Sequence, residues 1–419
     1  MKRLPKEGAG RAAGPARQSS IGPVSDKTVP EQARRLLEGA VEALPEGRLV
    51  EQLSTGRPLR VKLGIDPTAP DIHLGHVVVL NKLRAFQDAG HVVVLIVGDY
   101  TARIGDPSGI SVERPVLSDE QIEAHARTFQ DQAFKVLDPE RTEVHRNSEW
   151  LSMSGDELFG LVRRFTVARL LEREDFTRRM DAGEPISILE LLYPVLQGYD
   201  SVATEADVEI GGTDQKFNLL FGRDVQESFG QPAQSILTMP ILPGTDGVRR
   251  MSKSLGNYVG VTDPPEEMFG KLMSIPDDVM PPYYELLLGA QVDRDRHPGE
   301  AKRELARRLV ERFHDAGSAA AAEERFDQIH VRGEVPEDIG EALVEASGPN
   351  GAVHLPALVA DHFGVSRSEA RRLIEQGGVR IGGAVAAADR LDVPAGELDG
   401  EVLQVGKRRH ARIRVTGKG

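Results

Sequence analysis

Two histidines flank Leu-Gly in GIDPTAPDIHLGHVVVL (residues 64–80), where a short apolar strand runs through Asp66-Pro67-Thr68 into an unbroken aliphatic segment. His73 and His76 therefore stand at the mouth of a helix, whose free N–H groups and dipole favour anions, phosphates above all. Gly75 between them lets a nucleotide come close to the backbone. A metal would need a third ligand, and none lies nearby in the sequence. A second stretch, RRMSKSLGN (249–257), gathers cations, hydroxyls and a glycine in a loop that can swing onto a polyphosphate and neutralise it. In YPVLQGYD (193–200), Tyr193, Gln197 and Asp200 recur at i, i+4 and i+7. A phenol, an amide and a carboxylate then project from one helix face, which suits a small polar ligand better than a core. IGGTDQ (210–215) adds Asp214 and Gln215 at a glycine turn, and GDYTARIGDPSG (98–109) adds Asp106.

The elements around these residues explain their grouping. RVKLGID (60–66) and HVVVLIVGD (91–99) are nearly continuous in hydrophobicity, as parallel strands covered on both faces must be. Between them, residues 76–89 have helical spacing and end at Gly90, completing a βαβ unit. ADVEIGG (206–212) and SILTMPIL (235–242) are two further strands of an open α/β sheet. Ligands of such sheets bind beyond the carboxyl ends of the strands, and all five stretches lie at strand ends or on flanking helices.

Residues 1–28, rich in Gly, Pro, Ser and Arg without apolar periodicity, are expected to be a disordered extension. The α/β domain is expected over 29–260 and a helical domain over 261–346, where Asp-Pro and His-Pro start signals precede charged helical segments. A Ser-Gly-Pro-Asn linker follows, then a small α+β domain over 353–419: two short helices with a Gly-Gly turn, closed by a basic strand pair in VLQVGKRRHARIRV.

The chain has no cysteine, which excludes disulfides and thiolate chemistry and is compatible with the cytoplasm. No apolar run approaches the ~18 residues of a membrane span. A net charge of −13 argues against wholesale wrapping of nucleic acid, yet Val353 to the end carries 11 Lys/Arg against 8 Asp/Glu. A local positive patch on an acidic body suits a protein that touches RNA with one module.

HLGH and RMSKS resemble the HIGH and KMSKS signatures of class I aminoacyl-tRNA synthetases. Together with GIDPTAPDIHLGH, IGDPSG, YPVLQGYD and GGTDQ they resemble the bacterial tyrosyl-tRNA synthetases. Residues Leu355 to Val415 resemble the RNA-binding module, first described in a small-subunit ribosomal protein, that such enzymes carry at the C-terminus. The resemblance implies a Rossmann-like catalytic domain that makes tyrosyl-adenylate from tyrosine and ATP, with Mg²⁺ on the phosphates and no dedicated protein metal site. Tyrosine then passes to tRNA(Tyr). A homodimer and no membrane partner are also implied.

Carried over by residue, His73, His76 and Thr68 serve the phosphates in catalysis, and Arg250, Lys253 and Ser254 clamp the pyrophosphate. Gly64, Asp66, Gly75, Gly212, Asp214 and Met251 complete the ATP site, Asp214 beside the ribose. Asp106, Tyr193 and Gln197 hold the amino group of the amino acid, Asp200 accepts its phenolic hydroxyl and Gln215 points at its carboxylate. Lys62 stands where many members have a tyrosine facing the phenol, and is placed in the amino-acid site. Arg367, Arg371, Arg372, Lys407, Arg408 and Arg409 are the implied tRNA contacts. The tryptophanyl relatives, and a non-catalytic RNA-binding derivative of a synthetase, are the competing assignments. Asp200 and the complete signatures oppose them.

Overall fold

A computed structural model of the chain describes residues 28–68, 70–106, 117–293, 295–332, 340–345, 351–406 and 409–416. The extension expected over 1–28, Thr28 apart, lies outside the described residues, as do Lys407 and Arg408. The chain divides into two compact units: residues up to Thr262 together with Ile275–Val292, and Asp263–Ser274 together with everything from Asp293.

In chain order the sheet of the first unit comprises β1 (Glu42–Leu44), β2 (Arg60–Ile65), β3 (Val92–Val97), β4 (Thr142–Arg146), β5 (Val208–Gly212) and β6 (Ser235–Met239). In space they run β1-β6-β5-β2-β3-β4. All neighbours are parallel except β1, which pairs antiparallel with β6. The four apolar runs of the sequence became β2, β3, β5 and β6. The two strands absent from the sequence reading are the edges: β1 is three residues long, and β4 (TEVHR) is polar because one of its sides is unpaired.

The chain winds from β2 through β3 to β4 on one side and from β5 to β6 on the other. The strand order therefore reverses between β2 and β5, where open α/β sheets form their crevice. Those two strands pair only at Val61–Val208 and Lys62–Glu209, then diverge. The glycines that follow, Gly64 and Gly211–Gly212, lie along the opening. Two helices flank it. Leu74–Asp88 begins at His73 and stops short of Gly90, whose φ of +91° is open to glycine but strained for other residues. Ile188–Ala203 carries YPVLQGYD and packs on Lys216–Ser228, where a Cβ at Gly198 would lie 2.5 Å from Val225 Cγ2.

The helical segment expected over 261–346 is divided. The Met280–Leu288 helix belongs with the first unit: Asn81 Nδ2 donates to the Leu286 carbonyl at 2.9 Å, and the Tyr283 hydroxyl to the Pro243 carbonyl at 2.8 Å. Its buried Tyr283, Tyr284 and Leu287 form an apolar face whose partner cannot be read from local spacing. Helices Pro265–Met273, Pro298–Phe313 and Ala316–His330 pack together in the second unit.

A five-stranded sheet follows, built from β7 (Glu341–Glu345), β9 (Val379–Ile381), β10 (Ala384–Val385), β12 (Val402–Val405) and β13 (Arg409–Thr416). Strands β8 (Ala352–His354) and β11 (Asp392–Pro394) form a separate pair. β7 lies parallel to β13, so the boundary drawn at 346 cuts a strand away from its sheet. The Gly382-Gly383 turn joins β9 to β10 with φ of +55° and +84° at its two positions, as a two-residue hairpin requires. The expected basic strand pair is β12 with β13.

Candidate active site

A cleft of about 1400 Å³ opens over the β2/β5 divergence, lined by residues of the first unit only. It is large enough for an amino acid and a nucleotide side by side. The five stretches singled out in the sequence all contribute to its wall.

At one end stand the two histidines. His73 is the N-cap of the Leu74–Asp88 helix, and its Nδ1 accepts the Gly75 N–H at 3.2 Å. His76 Nδ1 accepts the His73 N–H at 3.2 Å, so the two imidazoles form a reciprocal cap. Their rings stack with centroids 3.9 Å apart. A Cβ at Gly75 would lie 2.9 Å from the His73 ring, which explains the glycine between them. Burial pushes His76 down to about 4; burial, then His76 and Arg250, hold His73 well below the usual imidazole range. Both rings are neutral at pH 7. Because each Nδ1 accepts a backbone hydrogen, each proton resides on Nε2, leaving one N–H donor per ring for a ligand.

The loop carrying Arg250 to Ser254 is tied to this end by backbone pairing. Leu74 N donates to the Val259 carbonyl and Val261 N to the Ile72 carbonyl, each at 2.9 Å. Buried Asn257 braces the loop from within, accepting Ser252 N–H at 2.9 Å and donating to Asp246 at 3.0 Å and to the Arg250 carbonyl at 3.1 Å. Met251 is buried beside Gly75, and Ser254 Oγ is 2.9 Å from Ser252 Oγ. Arg250 pairs with Asp214 at 3.1 Å, and Lys253 with Asp71. Burial raises the Asp214 carboxyl, and Arg250 opposes that rise. Asp71 was not singled out in the sequence, although it precedes Ile-His-Leu-Gly-His directly. Thr68 is exposed on the same rim.

The other end is acidic and deeper. Asp200 is buried; its Oδ1 accepts Trp150 Nε1–H at 2.8 Å and its Oδ2 lies 3.5 Å from Asn147 Nδ2. Burial pushes its carboxyl up to about 7, against the lowering influence of Lys62, Trp150 and Asn147. Asp66, placed with ATP by the resemblance, is bonded to the amino-acid side of the cleft. It accepts the Tyr193 hydroxyl at 2.8 Å and the Thr101 hydroxyl at 2.6 Å. Burial, then Asp66 and Asp106, raise the Tyr193 phenol well above its usual range, so it remains a donor. A Cβ at Gly98 would lie 2.1 Å from Asp66 Oδ1, so that glycine lets Asp66 and Thr101 meet.

Gln215 and Asp106 are joined at 2.7 Å, and Asn218 and Arg173 close a ring with them: Asn218 donates to Gln215 at 3.0 Å, Arg173 to Asn218 at 3.1 Å, and Arg173 pairs with Asp106 at 3.5 Å. Gln197 Oε1 is buried and has no hydrogen-bond partner among the described residues.

Lys62 departs from its expected place. Its side chain is fully buried beneath the cleft, and its ammonium donates to Glu209 at 2.8 Å, Ser201 Oγ at 2.6 Å and the Gln197 carbonyl at 3.3 Å. An ammonium has three donors, so none remains for a substrate phenol.

Thr101, Asn147, Trp150, Arg173, Glu209 and Asn218 complete the site without having been singled out. Thr101 and Glu209 lie inside stretches already quoted above, whereas Asn147 and Trp150, the single tryptophan, follow β4, a strand with no apolar run to mark it. The implied tRNA contacts lie in the second unit. Arg367, Arg371 and Arg372 are exposed on the Arg367–Glu375 helix, where Arg371 pairs with Glu375 and Arg372 with Glu369, and Arg409 is exposed at the start of β13.

A parallel sheet with its crevice at the strand reversal, two neutral histidines at a helix mouth and a cationic loop facing them define a nucleotide-dependent ligase cleft of the class I synthetase kind. The family model for class I tRNA synthetases (W and Y) matches residues 54–331, and that for the S4 domain matches residues 355–391. The chain belongs to the class I tRNA synthetases. It is 51% identical over 412 residues to a tyrosine–tRNA ligase of Syntrophotalea carbinolica, covering 94% of this chain and all of that protein. It is likewise 51% identical over 397 residues to one of Bordetella pertussis, covering 90% and 95% of the two chains. The fold is shared with a C-terminally truncated mitochondrial tyrosyl-tRNA synthetase of Aspergillus nidulans, at a TM-score of 0.60 and 20% identity, over 72% of this chain and 94% of that one.

Proposed function

We infer that this chain is a tyrosine–tRNA ligase, which joins L-tyrosine to ATP as tyrosyl-adenylate and then transfers the tyrosyl group to the 3′-terminal adenosine of tRNA(Tyr). The observation that carries this reading is the pairing, in one cleft, of a buried carboxylate–amide–phenol pocket with a bank of neutral N–H donors and cations.

Tyrosine enters with its phenolic hydroxyl donating to Asp200, its ammonium facing Gln197, Tyr193 and Asp106, and its carboxylate toward Gln215. ATP lies with its ribose at Asp214, its base and sugar against Gly64, Gly212 and Met251, and its phosphates toward His73, His76 and Thr68. A carboxylate oxygen attacks the α-phosphorus in line, the bond to the bridging oxygen breaks, and pyrophosphate leaves with the electron pair. The nucleophile is already an anion, so this step needs no strong protein base. It needs alignment and the offsetting of charge on the departing oxygens. The two Nε2–H groups supply fixed donors. Arg250 and Lys253 exchange Asp214 and Asp71 for the pyrophosphate, with Ser254 beside them. Magnesium is part of the substrate, carried on the ATP phosphates. A ribose hydroxyl of the tRNA then attacks the tyrosyl carbonyl, and AMP departs.

The tRNA is engaged by the S4 region, and two copies of the chain form a homodimer. Between residues 155 and 190, the first unit exposes Phe159 (66%) and Ile188 (76%), with Val167, Met180 and Leu189 also exposed. Apolar residues this exposed, crowded into one segment, fit cover by a second copy. The cytoplasm, where tRNA is charged, is the proposed location. Among the described residues no helix is long and apolar enough to cross a membrane.

ATP–pyrophosphate exchange with each of the twenty amino acids tests the assignment. Exchange is expected with tyrosine alone; exchange with tryptophan would transfer the chain to that activity, and none at all would leave only RNA binding. Arg371→Glu combined with Arg372→Glu is expected to raise KM for tRNA by about tenfold or more at physiological salt, since phosphate contacts dominate such binding. Tyrosine-dependent exchange should not change. Aminoacylation assays across a salt series measure it, and an unaltered tRNA KM would remove this helix from the tRNA surface.

A further inference from the structure

We propose that Glu209, held by Lys62, is the positioning residue that turns the Gln197 amide so that its oxygen meets the ammonium of the bound amino acid. This rests on the ligase reading given above and adds residues to its amino-acid site.

Lys62 and Glu209 are register partners on β2 and β5, at the last rung before the strands diverge into the cleft. Both are buried, at 0% and 1% exposure. Each Glu209 oxygen is committed. Oε1 takes Lys62 at 2.8 Å and Gln197 Nε2 at 3.4 Å, while Oε2 takes Ser201 Oγ at 3.3 Å and Gln234 Nε2. A Cβ at Gly222 would lie 2.8 Å from Gln234 Nε2 and 3.1 Å from Glu209 Oε2, so glycine on the neighbouring helix admits this network.

A carboxylate can only accept, so Gln197 must present its nitrogen to Glu209. Its oxygen is thereby directed away from the network, and it is the atom left buried without a partner among the described residues, in a residue that lines the cleft. An unpaired buried acceptor is costly unless a ligand donor meets it. The tyrosine ammonium is the strong donor that the reaction brings to this end. Lys62 makes the arrangement tenable, because Glu209 and Asp200 are two carboxylates buried close together and Lys62 is the cation that opposes the rise of Asp200. Its three hydrogen bonds lock it in that place.

Removing one partner of a buried ion pair is strongly destabilising, whereas replacing both with groups of similar volume is often tolerated. The test is therefore the double variant Lys62→Met/Glu209→Gln in the full chain, with Lys62→Leu/Glu209→Gln as the second variant. A glutamine at 209 brings N–H groups of its own into the network, so the Gln197 oxygen can turn inward to meet them. In the folded variant, tyrosine KM in pyrophosphate exchange is expected to rise about tenfold or more, the worth of a hydrogen bond to a charged group. KM for ATP should not move.

Tyramine, which keeps the ammonium, should weaken as a competitive inhibitor by a similar factor. Hydroxyphenylpropanoate, which lacks the ammonium, should inhibit as it does the wild type. A loss that is merely structural would weaken both compounds alike, and that result overturns the proposal. So does an unchanged tyrosine KM in a folded variant. Wild-type protein assayed alongside separates the two claims: if it shows no tyrosine-dependent exchange, the ligase reading fails, and if it exchanges normally while the variant behaves identically, only the positioning role fails.

Discussion

Replacing His76 with alanine is expected to slow tyrosine-dependent pyrophosphate exchange at saturating substrates by about 10²–10³, the effect of deleting one fixed donor to developing charge. The prediction rests on tautomer and charge together. His76 Nδ1 is occupied by the His73 N–H, so Nε2–H is its outward donor. Burial keeps the ring neutral, with its transition at about 4, so its donor strength is constant from pH 6 to 8. A donor serving charge that grows along the reaction lowers kcat when removed, while tyrosine, bound at the opposite end of the cleft, should keep its affinity. The substitution also removes half of the reciprocal cap, a loss of about 0.5–2 kcal/mol in stability. A thermal melt and equilibrium tyrosine binding distinguish unfolding from the catalytic loss. Full exchange activity in a folded His76→Ala protein would remove the histidine from the mechanism.

Asp200→Asn is expected to have its largest effect on selectivity. The carboxylate already receives Trp150 and Asn147, and it retains acceptor capacity for the phenol of tyrosine. An asparagine at that position offers one oxygen and two N–H groups facing donors. Tyrosine kcat/KM should fall by about 10²-fold or more, the scale of a lost bond to a charged group with a buried donor left unpaired. Phenylalanine, which has no hydroxyl to misplace, should lose far less. Tyrosyl-tRNA synthetases discriminate against phenylalanine by about 10⁵ without editing; that figure belongs to enzymes already measured and is not a product of this geometry.

The same carboxyl imposes a pH dependence. Burial sets it at about 7 in the free protein, ionised above and protonated below. Tyrosine kcat/KM should therefore fall about tenfold per pH unit on the acid side, since that ratio reports the free enzyme. The bound phenol donates to the carboxylate and favours its ionised form, so the corresponding limb of kcat should lie at lower pH. Neither histidine contributes a limb in this range. Exchange kinetics between pH 5.5 and 8.5 measure both profiles, and a tyrosine kcat/KM that is flat across this range would show that Asp200 does not titrate there.

Much of the site was legible because its chemistry is carried by local signals. A strand end, a helix start and a glycine can each be recognised within a few residues, and so can a three-residue stripe on one helix face. This is why His73, His76, Asp106, Asp200, Asp214, Gln215 and the Arg250–Ser254 loop all reached one cleft as expected. The parts that escaped are pairings over long separations. Tyr193 reaches Asp66 across 127 positions, Lys253 reaches Asp71 across 182, and Arg173 closes the ring around Gln215 and Asp106 from a segment with no motif.

Taken alone, the sequence determined the type of the buried strands, the helix that begins at His73, the polar face of Tyr193, Gln197 and Asp200, and the basic strand pair near the end. Each follows from the conformations and solvation its own residues permit. Only the tertiary structure decided that Lys62 faces Glu209 rather than a substrate, that Met280–Leu288 joins the first unit, and that β7 completes the terminal sheet. Periodicity reports which side of an element is apolar, but a buried charge or a strand edge is satisfied by whichever group the whole chain brings to it.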